Sequence, residues 1–285
     1  MNIKAFKYLS PVIVYVLAWL AFTQTGWLTW CPMLYAWVLL PLAELFIDAD
    51  AKNMSAAEED LAKKNRIYDY MLYIIVILQF AMLYKFLNVI EQPYLQWWEI
   101  IGRVWSMGLL CGTFGINVGH ELGHRVNKFE QALAKALLLT SLYMHFFIEH
   151  NKGHHKNVAT PQDPSSARIN EPVYTFYFRT IIFSYLSAWK IANDEMRKKG
   201  LSIFNIKNEM VQAHFIQLLF LVVILSAFSW AVTLYFLCAA AIGILLLETV
   251  NYIEHYGLQR KQIAEGKYER ALPEHSWNSN HIFGR

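Results

Sequence analysis

The sequence is short of charge. Asp, Glu, Lys and Arg make up 16% of its 285 residues, against about 25% in ordinary soluble domains. That excludes a soluble enzyme with a water-facing charged surface on every side. The charge present nearly cancels, with 25 basic and 22 acidic residues, so there is no footprint for nucleic acid. Cysteine is scarce as well. Cys31, Cys111 and Cys238 are scattered through apolar stretches without pairing or metal spacing. This excludes a disulfide framework and leaves them as small packing residues. Gly/Ser-rich or Pro-rich linkers and internal repeats are missing, so residues 1–285 read as a single domain. What abounds is apolar: 56% of residues are hydrophobic and 15% aromatic, which excludes disorder.

The apolar residues are gathered into runs. Residues 8–30 carry no charge, enough to cross a bilayer, which takes about 20 residues. Lys4 and Lys7 precede this run as in a signal peptide, but large aromatics, not a small-residue cleavage site, continue it. An uncleaved transmembrane helix is expected. Gly26 and Pro32 are expected to bracket the turn to a second span at 33–47, interrupted by Pro41 and Glu44. Further spans are expected at 70–87 and 97–118. Residues 215–247 are again uncharged, long for one span and short for two, with a weak turn signal at 226–229.

Basic residues decide the arrangement. They cluster at Lys4 and Lys7, at Lys52, Lys63, Lys64 and Arg66, at Arg125 and Lys128, at Lys207, and at Arg260, Lys261, Lys267 and Arg270. Six helices with both termini inside, and 215–247 as the core of a helical hairpin, put every cluster on one side. Lys85 and Arg103 fall near the opposite ends of their spans and are expected to snorkel to the interface. The expected fold class is all-α, a polytopic membrane protein of six transmembrane helices with a cytoplasmic histidine-rich site for two metals. The stretches 131–148 and 173–192 are apolar enough to lie in or against the membrane surface.

Histidine is the other excess. There are 10, and six fall between His120 and His155. His120 and His124, in His-Glu-Leu-Gly-His, are four apart and face one side of a helix, as a metal site requires. His150 and His154 repeat that spacing, and His155 points about 100° away, so one helix can feed two neighbouring metals. His255 ends the last apolar run. All three groups fall at the expected cytoplasmic face, although that topology was set from Lys and Arg alone. Glu121, Glu149 and Glu254 each adjoin a candidate ligand, either as solvated acids or as acceptors that orient an imidazole. His145, His214, His275 and His281 have no spaced partner and read as ordinary core or surface residues.

His-Glu-x-x-His is also the pattern of zinc metalloproteases, with the glutamate as general base. A catalytic zinc uses three protein ligands, whereas six candidates here suit two metals. Imidazole suits iron as well as zinc. A metal carrier would spread its ligands along a mid-membrane path.

His120-Glu-Leu-Gly-His124-Arg, the run 149–164 (Glu-His-Asn-Lys-Gly-His-His-Lys-Asn-Val-Ala-Thr-Pro-Gln-Asp-Pro) and Asn251-Tyr-Ile-Glu-His-Tyr-Gly together resemble the integral-membrane non-haem di-iron alkane 1-monooxygenases, of the membrane fatty-acid desaturase and hydroxylase superfamily. Related xylene-type monooxygenases and lipid desaturases share histidine boxes. The resemblance implies O2-dependent terminal hydroxylation of medium-chain n-alkanes to primary alcohols. It implies two iron ions held by His120, His124, His150, His154, His155 and His255. It also implies electrons from rubredoxin and its reductase, and a place in the bacterial inner membrane with the site facing the cytoplasm. An alkane would reach that site from the bilayer through an apolar channel, with Trp37 of the second span as a candidate for setting its depth. The family carries a further histidine-rich box with no counterpart before Arg285, so the chain is expected to be incomplete at its C-terminus.

Overall fold

The structure is a computed structural model that describes residues 10–47 and 66–279. Lys4, Lys7, Lys52, Lys63, Lys64 and His281 of the expectations above lie outside the described residues. The described residues are mostly helical, with one two-stranded hairpin, β1 (Gln262–Ala264) and β2 (Lys267–Tyr268).

Four helices are long and apolar enough to cross a membrane: α2 (Gly26–Glu44), α3 (Arg66–Val89), α8 (Glu209–Ala227) and α9 (Trp230–His255). The shorter α1 (Ser10–Thr23) precedes them. The helix of residues 97–123, α4, runs unbroken through a wide π-turn at Cys111–Ile116. With these long apolar helices the chain is a multi-pass membrane protein. The remaining helices are α5 (Lys128–Leu139), α6 (residues 146–157) and α7 (Val173–Lys198).

Local chemistry sets the ends. Asn127, Asn208 and Ser229 cap α5, α8 and α9, their side chains accepting the backbone N–H of Phe129, Met210 and Val232. The Ser229 cap splits the apolar run 215–247 into the expected hairpin. The first turn departs from expectation. It lies at residues 24–26, where Gly26 takes φ +68° and its N–H donates to the Glu99 carboxylate. Pro32 instead opens a helical turn, Cys31–Leu34, where its missing N–H costs nothing. Pro41 does not break the second span either. A wide π-turn, Tyr35–Leu39, precedes it.

Arg103 corrects a second expectation. It does not snorkel but is fully buried. Its guanidinium donates to the carbonyls of Ala21, Val89 and Gln24 at 3.0, 2.7 and 2.8 Å. It thereby satisfies the carbonyls that end α1 and α3, which have no helical partner of their own. Lys85 lies over the Trp19 ring, 5.2 Å from its centroid. Of the cysteines, only Cys111 is fully buried, and Cys238 faces outward, so Cys238 is not a packing residue.

The core lies where α4 crosses α9. Gly112 and Gly243 make that approach close, for a Cβ on Gly243 would stand 2.6 Å from the Cys111 Cβ. This packing sets the ends of α4 and α9 side by side.

Candidate metal centre

His120 and His124 sit in the last turn of α4, with their Nε2 atoms 2.7 Å apart. The α6 segment lies against them. The His155 Nε2 is 3.2 Å from the His124 Nε2, and the His150 ring is 4.3 Å from that of His120. One ligand atom from each of His120, His124, His150 and His155 lies within 4.8 Å of the other three. The grouping differs from helical spacing, under which His150 pairs with His154. Residues His150–His154 form a π-turn. Its hydrogen bonds run from i to i+5, which brings His150 and His155 to one side.

His154 turns the other way, to the end of α9. Its ring is 5.0 Å from that of His255 and 5.1 Å from that of His150. The His154 Nδ1–H donates to Asp163 Oδ2 at 3.0 Å. The His255 Nδ1–H donates to the His275 carbonyl at 3.3 Å. Each contact holds the proton on Nδ1 and leaves the Nε2 lone pair free, as for an imidazole readied for a metal. The six histidines thus form a group of four beside a group of two.

Two observations test whether a metal fits. The Nε2 of His150 is buried and has no hydrogen-bond partner among the described residues, a state that costs about 1–3 kcal/mol if nothing binds it. The imidazoles of His150 and His155 are also pushed toward the neutral form, the form that ligates. Burial pushes His155 down to about 4, helped by the neighbouring imidazoles. The same causes push His150 far down. Burial lowers His154 too, but the Asp163 carboxylate outweighs it and raises that imidazole overall. An all-imidazole, pre-gathered donor set fits a transition metal.

The three acids beside the ligands do different things. Glu121 is on the surface and accepts from Arg125 at 3.1 Å, so it orients no imidazole. Glu149 is buried and accepts from Ser187 at 3.3 Å. Burial, then the Asp163 carboxylate, pushes it up to about 7. The Glu254 carbonyl accepts from the Trp277 N–H at 2.8 Å, which ties the C-terminal segment across the site.

Sequence reading missed Asp163 and Glu248. Asp163 also accepts from Ser166 Oγ at 2.5 Å and from the Ser165 N–H at 3.1 Å. Glu248, fully buried in α9, accepts from Tyr143, Thr180 and Asn251 at 3.0, 2.9 and 3.1 Å. Its signal was available, since an acid at membrane depth is rarely idle. His275, read as ordinary, is buried and positions His255 through its carbonyl. His214 is satisfied by Tyr185 and the Met210 carbonyl. Phe146 walls the apolar side, its ring 4.7 Å from that of His150. Trp37 is 48% exposed and meets Trp105 edge-on at 5.5 Å.

The fatty acid desaturase family pattern matches residues 95–285, which hold all six histidines. The chain belongs to the fatty acid desaturase family. Within that family it is similar to enzymes. It is 36% identical to an alkane 1-monooxygenase of Pseudomonas putida, over 93% of this chain and 66% of that protein. It is 36% identical to one from Ectopseudomonas oleovorans, over 96% of this chain and 68% of that protein. It is 34% identical to alkane 1-monooxygenase 1 of Alcanivorax borkumensis, over 91% and 65%. The chain spans about two thirds of the length of these relatives. Family and histidine cluster together point to a metal site in a chain similar to membrane monooxygenases.

Proposed function

We propose that the chain hydroxylates the terminal methyl of medium-chain n-alkanes with O2, giving primary alcohols, with electrons from rubredoxin and its reductase. The observation that carries this reading is the convergence of four imidazoles within 4.8 Å, with the His154 and His255 pair alongside. His120, His124, His150 and His155 would hold one iron, and His154 and His255 would contribute to a second. Irons bound there would supply activation of O2, one oxygen atom going into the C–H bond and the other leaving as water with two protons and the two electrons from rubredoxin. Asp163 fixes the ring of His154, and the His275 carbonyl fixes that of His255. Phe146 keeps water from the apolar side, where an unreactive C–H bond must lie in a dry pocket. Trp37 is proposed to limit how deep the chain of the substrate reaches.

The same reading has six spans, α1 and α4 joining the four apolar helices. The charges that lower the hydropathy of α4 are consumed internally, Glu99 by backbone N–H groups and Arg103 by carbonyls. The site then faces the cytoplasm from the bacterial inner membrane, within reach of a soluble donor. The protease reading is weakened by Glu121, which is paired with Arg125 and is not positioned as a base over the imidazoles.

The test is metal content and product. The full-length protein, purified in lipid nanodiscs, should hold iron and form 1-octanol from octane with rubredoxin and reductase supplied. His150→Ala with His255→Ala should abolish both. Normal alcohol formation by that double variant would overturn the ligand assignment. Zinc alone, with peptide cleavage lost in Glu121→Gln, would establish the protease.

A further inference from the structure

Helix α7 is inside out for a helix facing water. Its inward ridge is Phe176, Thr180, Ser184, Ala188, Ala192 and Met196, small or polar at most positions. Thr180 and Ser184 lie 3.3 Å from the Ser165 hydroxyl, and Thr180 also donates to Glu248. The outward ridge, at the same four-residue spacing, is Tyr174, Phe178, Ile182 and Leu186. These are 66%, 73%, 51% and 51% exposed. A water-facing helix carries the opposite pattern. The ridge spans about 18 Å at 1.5 Å per residue, and α7 is not among the helices apolar enough to cross the membrane.

The ridge ends at a cleft of about 620 Å³. Phe183 and Leu186 form its apolar lip, and Lys156, Arg168 and Lys190 line it. All three cations are exposed, and none forms a salt bridge among the described residues. Arg168 lies near the Glu171 carboxylate, which its backbone N–H also reaches at 2.9 Å and which Arg179 already grips. The other cations of the cleft are engaged: Lys152 with Glu195 and Glu209, Arg179 with Glu171. Its acids are likewise engaged, Asp163 by His154 and Asp194 by Arg197. The cleft therefore presents three exposed positive charges, Lys156 and Lys190 without an acidic neighbour and Arg168 beside an already paired one, at the edge of an exposed apolar ridge.

We propose that α7 lies in the membrane interface with its apolar ridge among acyl chains, and that the cleft holds the anionic headgroup of a phospholipid. Charge and shape both favour this occupant. A headgroup brings a phosphate to the cations and two acyl chains to the ridge beside them, whereas an acidic soluble protein would leave Tyr174, Phe178 and Ile182 in water. Interfacial helices bury such a face about 5–10 Å deep and draw anionic lipid with basic residues.

Native mass spectrometry of the full chain, released from micelles with phosphatidylglycerol or phosphatidylcholine, tests the headgroup. Wild type should retain phosphatidylglycerol, and the Lys156→Gln/Arg168→Gln/Lys190→Gln variant should hold it about 100-fold more weakly, at roughly fivefold per cation. Retention of phosphatidylcholine should not change. Equal retention of phosphatidylglycerol by both proteins overturns the site. Displacement by inorganic phosphate as effectively as by the lipid overturns the headgroup in favour of a free-anion site. A spin label at Ile182→Cys, with Cys31→Ser and Cys238→Ser, tests the ridge on a chain whose cleft is intact. In phosphatidylglycerol nanodiscs it should collide more often with O2 than with a water-soluble nickel complex. Greater nickel collision, or shielding from both because protein covers the ridge, refutes the interfacial placement.

Discussion

His145 offers a sharp test of how burial governs this half of the molecule. Its ring is packed between Tyr143 and Tyr185, at 4.4 and 5.3 Å. Its Nε2 is buried without a hydrogen-bond partner among the described residues. Burial, with a smaller push from the His214 imidazole, lowers it from 6.5 to about 4. A group whose folded value is depressed contributes stability above its unfolded value and loses it as pH falls through the folded one. Between pH 6.5 and pH 4 the unfolded chain binds a proton that the folded chain refuses. By pH 4.5 this costs about 2.5 kcal/mol. His145→Phe removes the titration and the unsatisfied nitrogen, whose burial costs about 1–3 kcal/mol, while the extra ring volume returns part of that gain. The variant should match or slightly exceed wild type at pH 7.5. At pH 4.5 it should melt about 5–10 °C above it, at roughly 2–4 °C per kcal/mol. Tryptophan-fluorescence melts of the chelator-stripped chain in detergent, with the two proteins side by side, cancel the titration of all other histidines. Parallel melting curves across that pH range would refute the reasoning and show that His145 has a partner or reaches water.

Asp163→Asn keeps an acceptor for His154 but loses the charge, so metal affinity should fall about 10–100-fold; competition against a coloured chelator measures it. Arg103→Met strands three carbonyls but relieves a buried charge, for a net loss of about 3 kcal/mol; the melting temperature should drop, and an unchanged value would mean water reaches those carbonyls. Trp37→Ser should shift the product profile toward longer alcohols by gas chromatography; an unchanged profile removes Trp37 from the channel and leaves it as packing against Trp105.

The helices were legible where composition alone decides. The apolar runs at 70–87 and 215–247 became α3 and the α8–α9 hairpin because nothing but lipid or core accepts such surface. The two prolines misled because their effect depends on neighbours invisible to periodicity. Pro32 opens a turn instead of ending one, and Pro41 is preceded by a π-turn. Arg103 misled because a basic residue near a span end has two solutions, outward to headgroups or inward to helix ends. Only the packing of α1 and α3 around it selects the second. The histidines were found by spacing, yet their grouping was not. A π-turn changes which residues share a face, and no residue type announces one. Asp163 lies in a loop whose fold depends on Arg179, which grips Glu171 and the Pro164 and Ser166 carbonyls.

The site is assembled from pieces that cannot reach one another unless the bundle forms. α4 brings His120 and His124, α6 brings His150, His154 and His155, and α9 brings His255. The glycine contact at Gly112 and Gly243 sets the distance between α4 and α9. The height of α6 against them is set by polar bonds, a buried one from Tyr143 to Glu248 and a partly exposed ion pair from Lys152 to Glu209. The buried bond is strong where water is scarce and costly to break, so it holds position more firmly than apolar contacts that slide. Asp163, Ser165, Thr180, Ser184 and Glu248 form one such buried polar group behind the imidazoles, while Glu99 and Arg103 serve helix ends at the far end of α4. The protein spends buried hydrogen bonds where a ligand must be placed to a fraction of an ångström. Elsewhere it leaves apolar surface to face the lipid, which asks only that the surface be greasy.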